Sequence, residues 1–155
     1  MSNLMTWATN STSSEQTEQL AEKIGRNLLG GETIELVSDL GGGKTTFTRG
    51  LARGAGSNDR VRSPTFTLSS EYKASKFIIA HFDFYRLGEA GIVADELAEV
   101  IGDSNYVVVV EWGDIVHDVL PVNRLTVRFE QTGEDKRMLN FEYPQTLTHL
   151  LEGIQ

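Results

Sequence analysis

The chain has no cysteine, which excludes disulfide bonds and thiolate metal sites and removes any pointer to an oxidising compartment. Histidine is scarce, and His81, His117 and His149 stand without neighbours at ligand spacing, so a zinc site is not expected. Positive charge is short as well. The 14 lysines and arginines face 22 acidic residues, a formal net charge of -8, and the long-range field of such a chain repels nucleic acid and anionic lipid. Any contact with RNA is therefore expected to be local or supplied through a partner. No apolar run approaches the roughly 18 residues of a membrane span, and the opening MSNLMTWATNSTSSEQ has neither a basic leader nor a long apolar core. A cytoplasmic protein is the expectation.

What is present suffices for a core: 155 residues, 39% hydrophobic, with no repeat, low-complexity tract or break in composition, so a single domain over residues 1–155 is expected. Hydrophobic periodicity alternates between the two kinds of element. A short strand at 4–8 precedes a helix that starts at a capping box formed by Thr12 and Glu15, continues through Leu20, Ile24 and Leu28, and stops at Gly30 and Gly31. A buried strand at 33–37 is followed by glycines and a helix at 44–53, then by a hairpin of strands at 67–73 and 77–83. A helix at 93–101, an apolar strand at 106–111, a short helix at 114–120, strands at 124–130 and 138–143 and a last helix at 145–152 complete the pattern. Helices interspersed with strands predict an α/β fold, a P-loop-like three-layer arrangement with a mixed central sheet flanked by helices.

The chemistry concentrates at SDLGGGKTTFTRG, residues 38–50. A buried strand, then glycines, then a lysine and a threonine opening a helix is the context of a phosphate-binding loop: bare backbone lets N–H groups converge on phosphate oxygens and the helix N-terminus adds its dipole. Lys44 would reach the β and γ phosphates of a nucleotide and the Thr45 hydroxyl would ligate magnesium. The pattern asks for glycine at the position of Ser38, and is otherwise met by Gly43, Lys44 and Thr45 with Gly41 and Gly42 between.

A magnesium nucleotide site needs carboxylates at strand ends near that loop. Asp83 ends the run FIIAHFD and Glu111 ends YVVVVE; spacing leaves open which of them binds the metal and which positions water. Between loop and acids lies SPTFT, where Thr65 is placed to sense a γ-phosphate. Arg49, Arg53, Arg60 and Arg62 form a local basic cluster, read either as a solvated helix face or as a docking patch. His81 reads as a packed strand residue, and either Trp7 or Arg137 could flank an adenine.

In this order, SDLGGGKTTFTRG, SPTFTL, HFDFYRL and VEWGD followed by LP closely resemble the TsaE family, also called YjeE, from the first helix to about Pro121. The chain departs from the family pattern at Ser38 and at Gly42, where that pattern has glycine and alanine. The resemblance implies a small bacterial P-loop ATPase using ATP and Mg2+, working with TsaB and TsaD on threonylcarbamoyladenosine in tRNA, with RNA met only through that complex. It further implies that Asp39, Leu40, Gly41, Gly42, Gly43, Lys44, Thr45 and Thr46 bind the nucleotide, that Thr45 and Glu111 hold magnesium, that Asp83 is a catalytic or metal-water carboxylate, and that Thr65 is a switch residue. Hydrolysis would proceed by positioning and charge neutralisation, with Lys44, Thr65, Asp83 and Glu111 in the catalytic roles. No arginine finger is identifiable in the sequence, which predicts slow turnover alone. A small-molecule kinase and a nucleotide-gated binding module are the alternative readings.

Overall fold

The computed structural model describes residues 3–38, 43–62, 69–84 and 91–155. Among these, seven strands form one sheet in the order β1-β7-β6-β2-β5-β4-β3, from β1 (Leu4–Ser11), β2 (Thr33–Val37), β3 (Ser69–Lys73), β4 (Ile78–Asp83), β5 (Tyr106–Glu111), β6 (Leu125–Gln131) and β7 (Arg137–Pro144). The three helices are α1 (Ser14–Asn27), α2 (Lys44–Gly54) and α3 (Gly91–Val100). The four inner strands β6, β2, β5 and β4 are mutually parallel, whereas β3 joins β4, β7 joins β6 and β1 joins β7 in antiparallel fashion. The mixed sheet with helices on its faces is the α/β class expected from the alternation of periods.

Parallel central strands are covered on both faces, so β5 reads as four consecutive valines, all buried, with no polar alternation. Ile34, Leu36, Ile79, Val107 and Val109 face the layer of α1 and α2, together with the 3-10 helix Gln145–Leu151. Ala80, Phe82, Val108 and Val110 face the other layer, built from α3 and residues around the 3-10 helix Gly113–Val116. No helix of the described residues is long and apolar enough to cross a membrane.

Several boundaries differ from the sequence reading. The cap of α1 is Ser13, whose hydroxyl accepts from Gln16 N–H, while the Gln16 amide oxygen accepts from Thr12 N–H. The cap therefore sits one residue later than expected, and the Gln16 side chain takes the place of Glu15 by accepting from the residue before the cap. The C-terminal helices expected at 114–120 and 145–152 are 3-10 turns at Gly113–Val116 and Gln145–Leu151.

The contact between α1 and α2 is unusually close. A Cβ at Gly50 would lie 2.2 Å from the Glu18 carbonyl oxygen, and one at Gly54 would lie 2.0 Å from that of Glu22. Only bare backbone admits this approach. Charge then closes the rim: Arg53 pairs with Glu18 and Glu22, each at 2.9 Å, and Arg49 with Glu18 at 3.5 Å. Both arginines read from sequence as part of a basic cluster are thus neutralised by α1 rather than presented to a polyanion. The Arg53 hydrogen bond is the main reason the Glu22 carboxyl titrates below its ordinary value.

Candidate nucleotide site

The site lies where the parallel strands release the chain. Strand β2 ends at Val37, and α2 begins at Lys44 behind Gly43, whose φ of 102° is a left-handed conformation that favours glycine. Gly43 supplies no side-chain cap to the N-terminus of α2, the end at which a helix dipole favours an anion.

Lys44 does not extend into solvent. Its side chain is 6% exposed; the ammonium donates to the Ser38 carbonyl at 3.1 Å, lies 3.9 Å from Glu111 Oε1, and stands 4.4 Å from the centre of the Trp112 ring. Trp112 is the non-glycine residue with positive φ among the described residues, at φ 57° and ψ 49°. That conformation costs roughly 1–2 kcal/mol. It turns the chain sharply after β5 and lays the indole against the lysine, an instance of backbone strain at a site.

The two strand-end acids meet as adjacent residues: Asp83 of β4 and Glu111 of β5 are partners in the parallel register, and both are buried. Residues 79, 81 and 83 alternate onto the face that receives α2, as do 107, 109 and 111 on the next strand, so both carboxylates face the helix that carries Lys44. Thr45, half-buried, opens the same helix. Hard oxygen donors from one or two carboxylates and a hydroxyl are what Mg2+ takes when phosphates and water complete its shell. Asp83, Glu111 and Thr45 fit such a site, in which the protein supplies few donors; no cluster of three or more histidine or acidic side chains suited to a metal occurs among the described residues. Gly43 and Thr46 border a small cleft of about 40 Å³ with Ser13, Thr17, Asp135 and Arg137. Trp7 is half-buried and packs on Phe141 with ring centres 5.2 Å apart, away from this cleft, whereas Arg137 borders it. Asp39, Leu40, Gly41, Gly42 and Thr65 lie outside the described residues.

His81 is more than a packed strand residue. It is fully buried, and its Nε2 lies 2.5 Å from Glu111 Oε2 while its Nδ1 lies 3.1 Å from the Tyr72 hydroxyl. Burial pushes the Tyr72 hydroxyl above its ordinary value, so it stays a donor, and it reaches the Arg62 carbonyl at 3.1 Å. The signal in the sequence was parity: His81 stands two residues before Asp83 and so shares its face. The strand register that brings it to Glu111 is not written in any local pattern.

The chain matches, over residues 11–139, the family model described as threonylcarbamoyl adenosine biosynthesis protein TsaE. It is 34% identical over 132 residues to the tRNA threonylcarbamoyladenosine biosynthesis protein TsaE of Bacillus subtilis, covering 82% of this chain and 79% of that protein. To the protein of the same description from Aquifex aeolicus it is 41% identical over 102 residues, covering 64% of this chain and 71% of the relative. The crystal structure of Bacillus subtilis YdiB superposes with a TM-score of 0.73 at 30% identity, covering 97% of this chain and 93% of that one.

Proposed function

The chain belongs to the TsaE family, and from that premise we propose that it is a magnesium-dependent ATPase serving the threonylcarbamoyl modification of adenosine in tRNA, in the cytoplasm, with TsaB and TsaD as partners. The observation that carries this reading is the buried juxtaposition of Lys44 and Glu111, with Asp83 in register beside Glu111, beneath the N-terminus of α2.

The amides at the start of α2 and the residues 39–43 before it bind the phosphates, and the Thr46 side neighbours the nucleoside. Lys44 offers its ammonium to the terminal phosphates, exchanging its present partners for phosphate oxygens. Thr45 and Glu111 would hold magnesium, which when bound neutralises charge on the β and γ phosphates. Asp83, at the adjacent strand tip, orients the attacking water and accepts its hydrogen bond. Burial of both acids keeps bulk water from screening these interactions, which strengthens each of them. Trp112 shields the lysine from the solvent side. With Arg49 and Arg53 spent on α1, neither is available as a charge donor to the transferred group, which fits slow turnover alone and stimulation by partners.

The test is phosphate release by the purified chain with and without TsaB and TsaD. Turnover should rise when both are present, and Lys44→Ala should abolish it while the circular dichroism spectrum is retained. Undiminished hydrolysis by the lysine variant refutes the assignment.

A further inference from the structure

On the α2 face of the sheet, among apolar residues such as Ile79, Val107 and Val109 and beside Asp83, the described residues include a polar row: Tyr72 of β3, His81 of β4, Glu111 of β5 and Lys44 of α2. We propose that His81 and Tyr72 are positioning residues of the hydrolytic site, His81 holding the Glu111 carboxylate in one orientation and Tyr72 tying that pair to the backbone at Arg62. This rests on the assignment of Glu111 given above.

A carboxylate only accepts hydrogen bonds, so the proton in the 2.5 Å contact belongs to His81 Nε2. Glu111 Oε2 is thereby committed to His81, and Oε1 is the oxygen that turns toward Lys44. A glutamate otherwise rotates about three bonds, and a fixed outer partner converts it into a ligand of defined direction. The histidine is itself fixed, because its Nδ1 lies 3.1 Å from the Tyr72 hydroxyl oxygen, which lies 3.1 Å from the Arg62 carbonyl oxygen, so that the one hydroxyl proton is set between two acceptors. The chain continues from Arg62 into the stretch that carries Thr65, so the row links the strand-tip acid to the start of that segment.

Core packing alone does not account for the arrangement. Apolar residues at both 81 and 111 would fill the space beside Ile79 and Val109 without removing an imidazole and a carboxylate from water, an exchange of the whole pair that is often neutral or stabilising. The row keeps a desolvated polar pair at the place where a carboxylate needs aim.

The experiment compares Tyr72→Phe, His81→Gln, His81→Ala and Glu111→Gln in the full chain. Phosphate release in the presence of TsaB and TsaD is measured against magnesium concentration, and ADP affinity is measured by calorimetry with magnesium and with EDTA. His81→Ala should raise half-saturating magnesium or lower kcat by roughly 10- to 100-fold. Tyr72→Phe should do the same to a smaller degree, and His81→Gln, which keeps an N–H donor, should recover most of the loss. ADP affinity in EDTA should stay within about twofold of wild type, since the aim of Glu111 matters only when the ion is present. Should His81→Ala fail to fold, Tyr72→Phe, which removes one oxygen, carries the comparison. Wild-type magnesium dependence in the Tyr72 and His81 variants, with Glu111→Gln impaired, overturns the positioning role and leaves the site assignment standing. Unchanged magnesium dependence in Glu111→Gln overturns the assignment and the role together. Equal loss of ADP affinity with and without magnesium in the Tyr72 and His81 variants marks plain structural damage and also overturns it.

Discussion

Gly54→Ala should destabilise the protein although it replaces glycine by the best helix former inside a helix. In an isolated helix the exchange is worth about 1 kcal/mol in favour of alanine. Here the new methyl would stand 2.0 Å from the Glu22 carbonyl oxygen, 2.8 Å from its carbon and 3.0 Å from Arg26 N, all backbone atoms of α1. None is the end of a flexible side chain, so relief requires α1 to retreat by more than 1 Å from ordinary contact near 3.4 Å. That retreat loosens the parallel contact at Gly50 and stretches the 2.9 Å pairs of Arg53 with Glu18 and Glu22. Overpacking of this kind costs about 1–3 kcal/mol or more, and the backbone nature of the clash places it at the upper end. Set against the propensity gain, the net loss is about 2 kcal/mol. At roughly 2–4 °C per kcal/mol for a domain of this size, the melting temperature should fall by about 4–8 °C. Thermal unfolding followed by circular dichroism reads this directly. A melting temperature equal to or above that of wild type would mean that helix propensity outweighs the close approach, and the account of the α1–α2 contact would be wrong.

Two further outcomes follow from the same framework. The Glu22 carboxyl is depressed chiefly by its hydrogen bond to Arg53, so its contribution is complete above the ordinary carboxylate pKa and is lost as pH falls through the depressed value. The gap in melting temperature between wild type and Arg53→Ala should therefore narrow between about pH 7 and about pH 3; a gap independent of pH would remove the ion pair from the stability of the helix pair. In Trp7→Phe, emission from the remaining indole at Trp112 should change on titration with ATP and magnesium, because the proposed engagement of phosphate would take Lys44 from its position 4.4 Å from that ring. A flat titration, with binding confirmed by calorimetry, would show that the lysine does not move.

The sequence made legible whatever is local. Strand β5 was visible as a run of valines, α2 as the helix behind the glycines, and Asp83 and Glu111 as acids at the ends of apolar strands. Each depends on a pattern within one element, and the structure keeps those boundaries to within a residue or so. What was not legible depends on pairing between distant elements. Arg49 and Arg53 looked like a free basic face because their partners, Glu18 and Glu22, lie on another helix. His81 looked inert because its partner Glu111 reaches it only through the parallel register of β4 with β5. Gly54 read as the end of a helix, and Gly50 carried no signal, since a need for bare backbone appears only once a second backbone is known to lie alongside.

The last strands, where motif resemblance was weakest, have a part in the site that no motif announces. Phe129 of β6 meets Phe47 of α2 edge-on at 5.5 Å, and Phe141 of β7 approaches the same ring at 6.4 Å. Phe47 is fully buried and stands three residues after Lys44, so the β6–β7 hairpin fixes the first turn of the helix whose N-terminus is proposed to face phosphate. An edge-to-face aromatic pair contributes about 0.5–1.5 kcal/mol beyond its buried area, and here it acts on the end of α2 opposite to the glycines that lock the helix to α1. The two contacts hold α2 at both ends, and they need only apolar bulk at one end and its absence at the other. Such requirements can be met by any aromatic residue of similar bulk, whereas the roles proposed for the lysine, threonine and carboxylates depend on their particular charges and oxygens. The helix is therefore held by contacts that depend on bulk or its absence, so that it can present the charged and hydroxyl groups proposed to act at its N-terminus.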